Sequence, residues 1–152
     1  MPLGRPGVGI GVNGVGIAVL VGTLALATVV GLVLRARDGR VRAGGTASGG
    51  WALAGAPPAG DDRVLLLQLS SPVCAPCRQT AGVLGRLSAR TPGVVHREVD
   101  VADRPDVARE LGVMRTPTVV AFDRAGTELG RISGVPRVAE LEAVLAPELD
   151  RT

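Results

Sequence analysis

Apolar and polar positions follow two different regimes along this chain. From Val8 to Leu34 every residue is apolar or glycine except Asn13, Thr23 and Thr28, and no charge falls between Arg5 and Arg35. Such a run exceeds the roughly 20 residues a helix needs to cross a bilayer core, and it is too long and uniform for a buried core helix. From Val64 onward the pattern is short and periodic. Val64 to Leu69 is a near-continuous apolar block, as expected for a strand buried on both faces. Cys77 to Arg90 has helical spacing, with Val83, Leu84 and Leu87 forming one stripe and Thr91-Pro92-Gly93 ending it.

Val94 to Val101 alternates, setting Val95, Arg97, Val99 and Val101 against His96, Glu98 and Asp100, and predicts a second strand. Arg104 to Leu111 predicts a short helix, with Asp103 as its cap, Pro105 in its first turn and Gly112 at its end. Thr118 to Phe122 predicts a third strand, Asp123 to Gly126 a hairpin turn, and Thr127 to Ser133 the returning strand. A closing helix is expected over Val135 to Leu145, with Val138, Leu141, Val144 and Leu145 facing inward. The order strand, helix, strand, helix, strand, strand, helix predicts an α/β layer with parallel strands followed by one hairpin.

These patterns divide the chain into a short tail (1–7), a transmembrane helix (8–34), a linker (35–60) and a globular part (61–152). Ala25-Leu26-Ala27 resembles a signal-peptide cleavage site, but Thr28 to Leu34 still follows it, so an uncleaved anchor is favoured. Gly9, Gly11 and Gly14 fit a dinucleotide-binding glycine pattern, yet lack both the preceding strand and the later acidic residue that the pattern requires. Gly14, Ala18 and Gly22 form a small-residue spacing that permits close helix packing without establishing an oligomer. Arg35, Arg37, Arg40 and Arg42 flank the span on its C-terminal side, so the positive-inside rule favours a single-pass protein of the cell membrane with its globular part on the cytoplasmic face. The linker is rich in Gly, Ala, Pro and Arg, and Trp51 to Ala54 reads as either a strand remnant or a short docking element.

Composition narrows the function classes. Every one of the 17 basic residues is Arg, and the sequence pI is about 10. The excess belongs to the N-terminal part: five Arg face one acid before Asp61, whereas twelve Arg face thirteen acids from Asp61 onward. With no Tyr, one Trp and one Phe, the chain lacks the stacking platforms of a single-strand nucleic-acid binder. No nucleic-acid partner is expected.

The two cysteines, Cys74 and Cys77, stand where the first strand hands over to the first long helix. The loop they could close is too small to staple a fold. Two thiolates are only half a closed zinc site. His96 is the one residue able to add a ligand, and on its strand it reads as exposed, so no metal is expected. Unpaired N–H groups at a helix N-terminus stabilise a thiolate. Cys74, outside the first turn, is expected to attack a substrate disulfide. Cys77, inside the turn and partly buried, would resolve the mixed disulfide. Ala75 and Pro76 shape the turn, and Pro76 suits a position where no N–H is missed.

From Val64 to its end the chain resembles the thioredoxin family. The resemblance is carried by Cys74–Cys77 after a strand, Val99-Asp100-Val101, Gly112-Val113 before Thr116-Pro117, the strand Thr118 to Phe122, and Ser133-Gly134-Val135. It implies a thioredoxin-like fold, a central mixed sheet flanked by helices, here preceded by one transmembrane helix. It further implies a cis Pro117 beside the reactive sulfur, with Thr116, Pro117 and Gly134 lining a groove for substrate peptide. The activity implied is thiol–disulfide oxidoreductase, with protein disulfides or dithiols as substrates, an upstream electron donor, and no cofactor beyond the Cys74–Cys77 pair. Two departures stand out: Val73 replaces the Trp usual before the first Cys, and Gln68, which cannot accept a proton, replaces the buried acid of the first strand. Ala75-Pro76, without a His, resembles the reducing members. A binding module with little turnover and an extracytoplasmic cytochrome or envelope-protein maturation factor are the rival readings.

Overall fold

The computed structural model describes residues 14–37, 39–43 and 49–150. The tail at 1–7, the start of the expected span at 8–13 and the middle of the expected linker at 44–48 lie outside the described residues. The chain divides into two units, residues 1–37 and 38–152.

Within the first unit, helix α1 runs from Gly14 to Arg37. Its stretch Gly14–Ala36 has a mean hydropathy of 2.7 and is long and apolar enough to cross a membrane. Its two hydroxyls bond back along the helix, Thr23 Oγ1 to the Val19 carbonyl at 2.6 Å and Thr28 Oγ1 to that of Leu24 at 2.8 Å. Both polar groups are thereby satisfied without water, as an apolar surrounding requires.

The second unit contains β1 (Val41–Ala43), α2 (Gly50–Leu53), β2 (Val64–Ser70), α3 (Ala75–Arg90), β3 (Val94–Asp100), α4 (Pro105–Glu110), β4 (Thr118–Phe122), β5 (Glu128–Ser133) and α5 (Val138–Leu149). The five strands form one mixed sheet in the order β1-β5-β4-β2-β3. Only β2 and β3 run parallel, joined by the α3 crossover; the other neighbours are antiparallel. Strand β2 lies between β4 and β3, and all seven of its residues are buried, which is why its sequence does not alternate.

The pleat sends alternate residues to two core layers. Val64 and Leu66 pack with Leu84 and Leu87 of α3 and with Leu141 and Leu145 of α5. Leu65, Leu67 and Leu69 pack on the other side with Val107, Leu111, Phe122, Trp51 and Leu53. Gln68 and Ser70 continue the first register and reach the α3 side of the sheet.

The segment expected to be a linker departs from that reading. Val41–Ala43 adds an edge strand to β5, with Ala43 opposite Gly130. A Cβ at Gly130 would come within 2.9 Å of the Arg42 carbonyl, so glycine permits the close approach. Helix α2 docks Trp51, whose indole Nε1 donates to the Asp123 carbonyl at 2.8 Å. A Cβ on Gly50 would meet the Phe122 ring at 2.2 Å, so only glycine fits there. Asp103 does not cap α4. Arg104 holds that position, and its amide donates to the Asp100 carbonyl at 2.9 Å, starting the helix one residue later.

Candidate active site

The two cysteines sit at the C-terminal end of β2, in the first turn of α3. Cys74 is the helix N-cap, with Ala75 and Pro76 following and Cys77 at the third helical position. They form a disulfide with an S–S distance of 2.06 Å and a Cα–Cα distance of 5.2 Å. The Cys77 amide donates to Cys74 Sγ at 3.1 Å. The Arg78 amide donates to the Cys74 carbonyl at 3.3 Å. No acidic residue occupies the first turn, so nothing there offsets the positive end of the helix dipole at Cys74. Cys77 is 2% exposed, more deeply buried than expected, while Cys74 reaches the surface.

The Thr116–Pro117 peptide bond is cis. Its loop is tied to the cysteine turn by Ser71 Oγ, 3.0 Å from Thr116 Oγ1. The Gly134 amide donates to the Pro117 carbonyl at 2.8 Å, which ties the end of β5 to the same loop. Gly134 adopts φ +88°, a conformation glycine tolerates. Its N–H is therefore engaged within the protein. Beside the loop lies a cavity of about 230 Å³ lined by Val101, Ala108, Val113, Met114, Arg115 and Thr116. Outside α1, Val73 and Met114 are the exposed large hydrophobic residues among the described residues, at 96% and 93%.

Beneath Cys77 is a polar cluster that sequence reasoning left dispersed. Gln68 Nε2 lies 2.7 Å from Ser70 Oγ, 3.0 Å from the Cys77 carbonyl and 3.1 Å from Glu98 Oε1. His96 Nε2 is 3.1 Å from Gln68 Oε1. His96 is half-buried rather than exposed, because the parallel register sets β3 against β2 and turns it toward Gln68. Burial lowers its pKa, and the neighbouring Glu98 carboxylate partly offsets this. Reading the β2–β3 register together with the alternation of β3 would have gathered these residues. Among the described residues, no group of three His, Cys, Asp or Glu side chains could hold a metal ion.

A disulfide between cysteines three positions apart, capping a helix at the end of a central strand and facing a cis-proline loop, defines a thiol–disulfide oxidoreductase. Thioredoxin is the family whose model matches residues 59–147, more than half of the chain. The chain belongs to the thioredoxin family. It is 33% identical to the thioredoxin of Pongo abelii over 87 residues, 57% of this chain and 81% of that protein. It is 30% identical to thioredoxin C-3 of Corynebacterium nephridii over 90 residues, 59% of this chain and 61% of that one. Among solved structures, a thioredoxin from Nicotiana alata is similar with a TM-score of 0.51 at 28% identity, over 57% of this chain and 74% of that chain.

Proposed function

We propose that this chain is a membrane-tethered reductant of protein disulfides, with Cys74 as nucleophile and Cys77 as resolving residue. The observation that carries the assignment is the Cys77 amide aimed at Cys74 Sγ across 3.1 Å at a helix N-terminus. In the reduced pair the same donor favours negative charge on Cys74. The Cys74 thiolate attacks one sulfur of a substrate disulfide, and the other substrate sulfur leaves as thiolate and takes up a proton. Cys77 then loses its proton and attacks Cys74 Sγ. The mixed disulfide breaks, and the second substrate sulfur leaves with the electron pair and is protonated. Two electrons have passed to the substrate, and Cys74–Cys77 is oxidised. An upstream dithiol donor must reduce it again.

Thr116, Pro117 and Gly134 form the groove wall in this reading, with Ala75 and Pro76 shaping the turn. The pair itself is the redox centre and calls for no further cofactor. Helix α1 is the tether, and Arg35, Arg37, Arg40 and Arg42 favour the cytoplasmic face for the domain. The decisive assay uses the full chain in detergent micelles, driven by dithiothreitol, on insulin as disulfide substrate. Turnover that disappears in Cys74→Ser/Cys77→Ser supports the reading, and partner binding without any turnover in the native chain would replace it with a binding module. A reporter fused after Thr152 that is active only outside the membrane would reverse the orientation and favour envelope-protein maturation.

A further inference from the structure

Gln68 is fully buried on β2 and carries no charge, yet it joins the resolving cysteine to a carboxylate on the neighbouring strand. The proton inventory fixes the direction of every bond. Ser70 Oγ donates to Glu98 Oε1 at 2.5 Å, so its lone pair accepts from Gln68 Nε2. The second amide hydrogen goes to the Cys77 carbonyl, which can only accept. Gln68 Oε1 also can only accept, so His96 Nε2 carries the hydrogen between them. The chain of donors runs from His96 through Gln68 and Ser70 and ends on Glu98 Oε1, which also lies 3.1 Å from the Gln68 amide nitrogen. Glu98 is exposed as a residue, but this oxygen is turned inward. The parallel pairing of Gln68 with Glu98 brings it there, and the β3 alternation points it to the α3 side.

Three hydrogen bonds, through Ser70 and Gln68, therefore link Glu98 to the backbone of Cys77. Other ionisable groups also lie around the cluster. On β3, His96 is held toward its neutral form by burial, and Asp100, paired with Ser70, is a second carboxylate whose Oδ1 accepts from the Ala102 amide at 2.8 Å instead of joining the chain through Gln68. On β2, Gln68 and Ser70 are uncharged. On α3, Cys77 is the titratable group of the first turn, and Arg78 beside it is exposed.

Resting on the oxidoreductase reading above, we propose that Glu98 is a positioning residue of the redox pair: through Ser70 and Gln68 its carboxylate locks the Gln68 amide onto Cys77 and opposes a second negative charge on the reduced dithiol. A carboxylate tied to the backbone of the buried Cys77 disfavours a further negative charge there, so Cys77 is kept as a thiol until the mixed disulfide is to be resolved.

The test is a thiolate titration of the reduced full chain in detergent micelles, read by absorbance near 240 nm. The chain has two Cys in all, so the signal reports only this pair. Glu98→Gln is expected to lower the upper of the two thiol midpoints by on the order of one pH unit. Glu98→Asp, which keeps the charge, should stay close to the native curve. Ser70→Ala, which releases the carboxylate toward solvent, should shift the midpoint in the same direction as Glu98→Gln. Glu142→Gln, on an exposed helix pair with Arg90, serves as the control and should leave the curve unmoved. A Glu98→Gln curve that overlays the native one, or equal shifts in Glu98→Gln and Glu98→Asp, overturns the proposal. No substrate enters the titration, so its failure is separate from a failure of disulfide-exchange activity.

Discussion

The amide of Cys77 points at the sulfur of Cys74 across 3.1 Å, from within the first turn of α3 to the residue that caps it. The relation is asymmetric: one sulfur receives a backbone donor and reaches the surface, while the other is 2% exposed. The two cysteines should therefore behave differently when separated. Cys77→Ser is expected to accumulate mixed disulfides with substrate proteins on Cys74, and Cys74→Ser is not. Non-reducing electrophoresis followed by mass spectrometry of the adducts reads the difference. Equal trapping by both variants would contradict the assigned roles.

Val73 and Met114 should act on substrate affinity and not on stability. Both side chains are almost wholly exposed, beside the disulfide and beside the loop of Pro117. Surface substitutions away from packed features typically change stability by less than about 0.5 kcal/mol. Covering such a side chain with substrate is worth about 1–2 kcal/mol, which corresponds to roughly 5–30-fold in affinity. Val73→Asp and Met114→Asp are each expected to raise KM for an apolar-flanked disulfide substrate within that range, with the urea midpoint unchanged. Steady-state kinetics beside equilibrium unfolding separates the two effects.

The parts of this molecule legible from the sequence are those whose signal is local. Val64 to Leu69 reads as a strand because six buried positions in a row leave no room for polar alternation. Cys74 to Cys77 reads as a helix start because Pro76 and the following stripe agree with it. Val41–Ala43 was not legible, and Trp51 to Ala54 was legible only as either a strand remnant or a short docking element. Elements of three and four residues carry no periodicity, and they are held by tertiary contacts, Ala43 against Gly130 and Gly50 against Phe122. The polar cluster was illegible for a related reason. Gln68, Ser70, His96 and Glu98 are ordinary on their own strands, and only the parallel register brings them together.

The half-buried state of His96 has a consequence for stability against pH. Burial lowers its folded-state pKa below the ordinary value of 6.5, and Glu98 opposes that shift only in part. Between the lowered folded pKa and 6.5 the unfolded chain binds more protons than the folded one, so stability rises with pH across that window. The stability contributed by neutral His96 is present above 6.5 and is lost as pH falls through the window. His96→Gln should flatten this part of the profile. Urea midpoints of the full chain in detergent, followed by Trp51 fluorescence at a series of pH values, measure the slope. An unchanged slope in the variant would place the pH dependence elsewhere.

Trp51 should decide whether the segment before β2 belongs to the folded domain energetically as well as geometrically. It is 6% exposed and packs in the layer of Leu65, Leu67 and Phe122. Removing a buried aromatic side chain costs about 3–5 kcal/mol where the site cannot collapse. Helix α2 is short and peripheral and can relax, which places Trp51→Ala near the lower end, at about 3 kcal/mol. Trp51→Phe keeps most of the apolar contact and loses the indole donor to the Asp123 carbonyl, a loss of about 1 kcal/mol. The Asp123 carbonyl belongs to the turn that joins β4 to β5, so the effect reaches the hairpin behind Pro117 and Gly134. Urea unfolding monitored by far-ultraviolet circular dichroism orders the variants, since fluorescence is lost with the only Trp. A Trp51→Ala midpoint equal to that of the native chain would mean that α2 rests on the domain without stabilising it, and that the functional unit begins near Asp61.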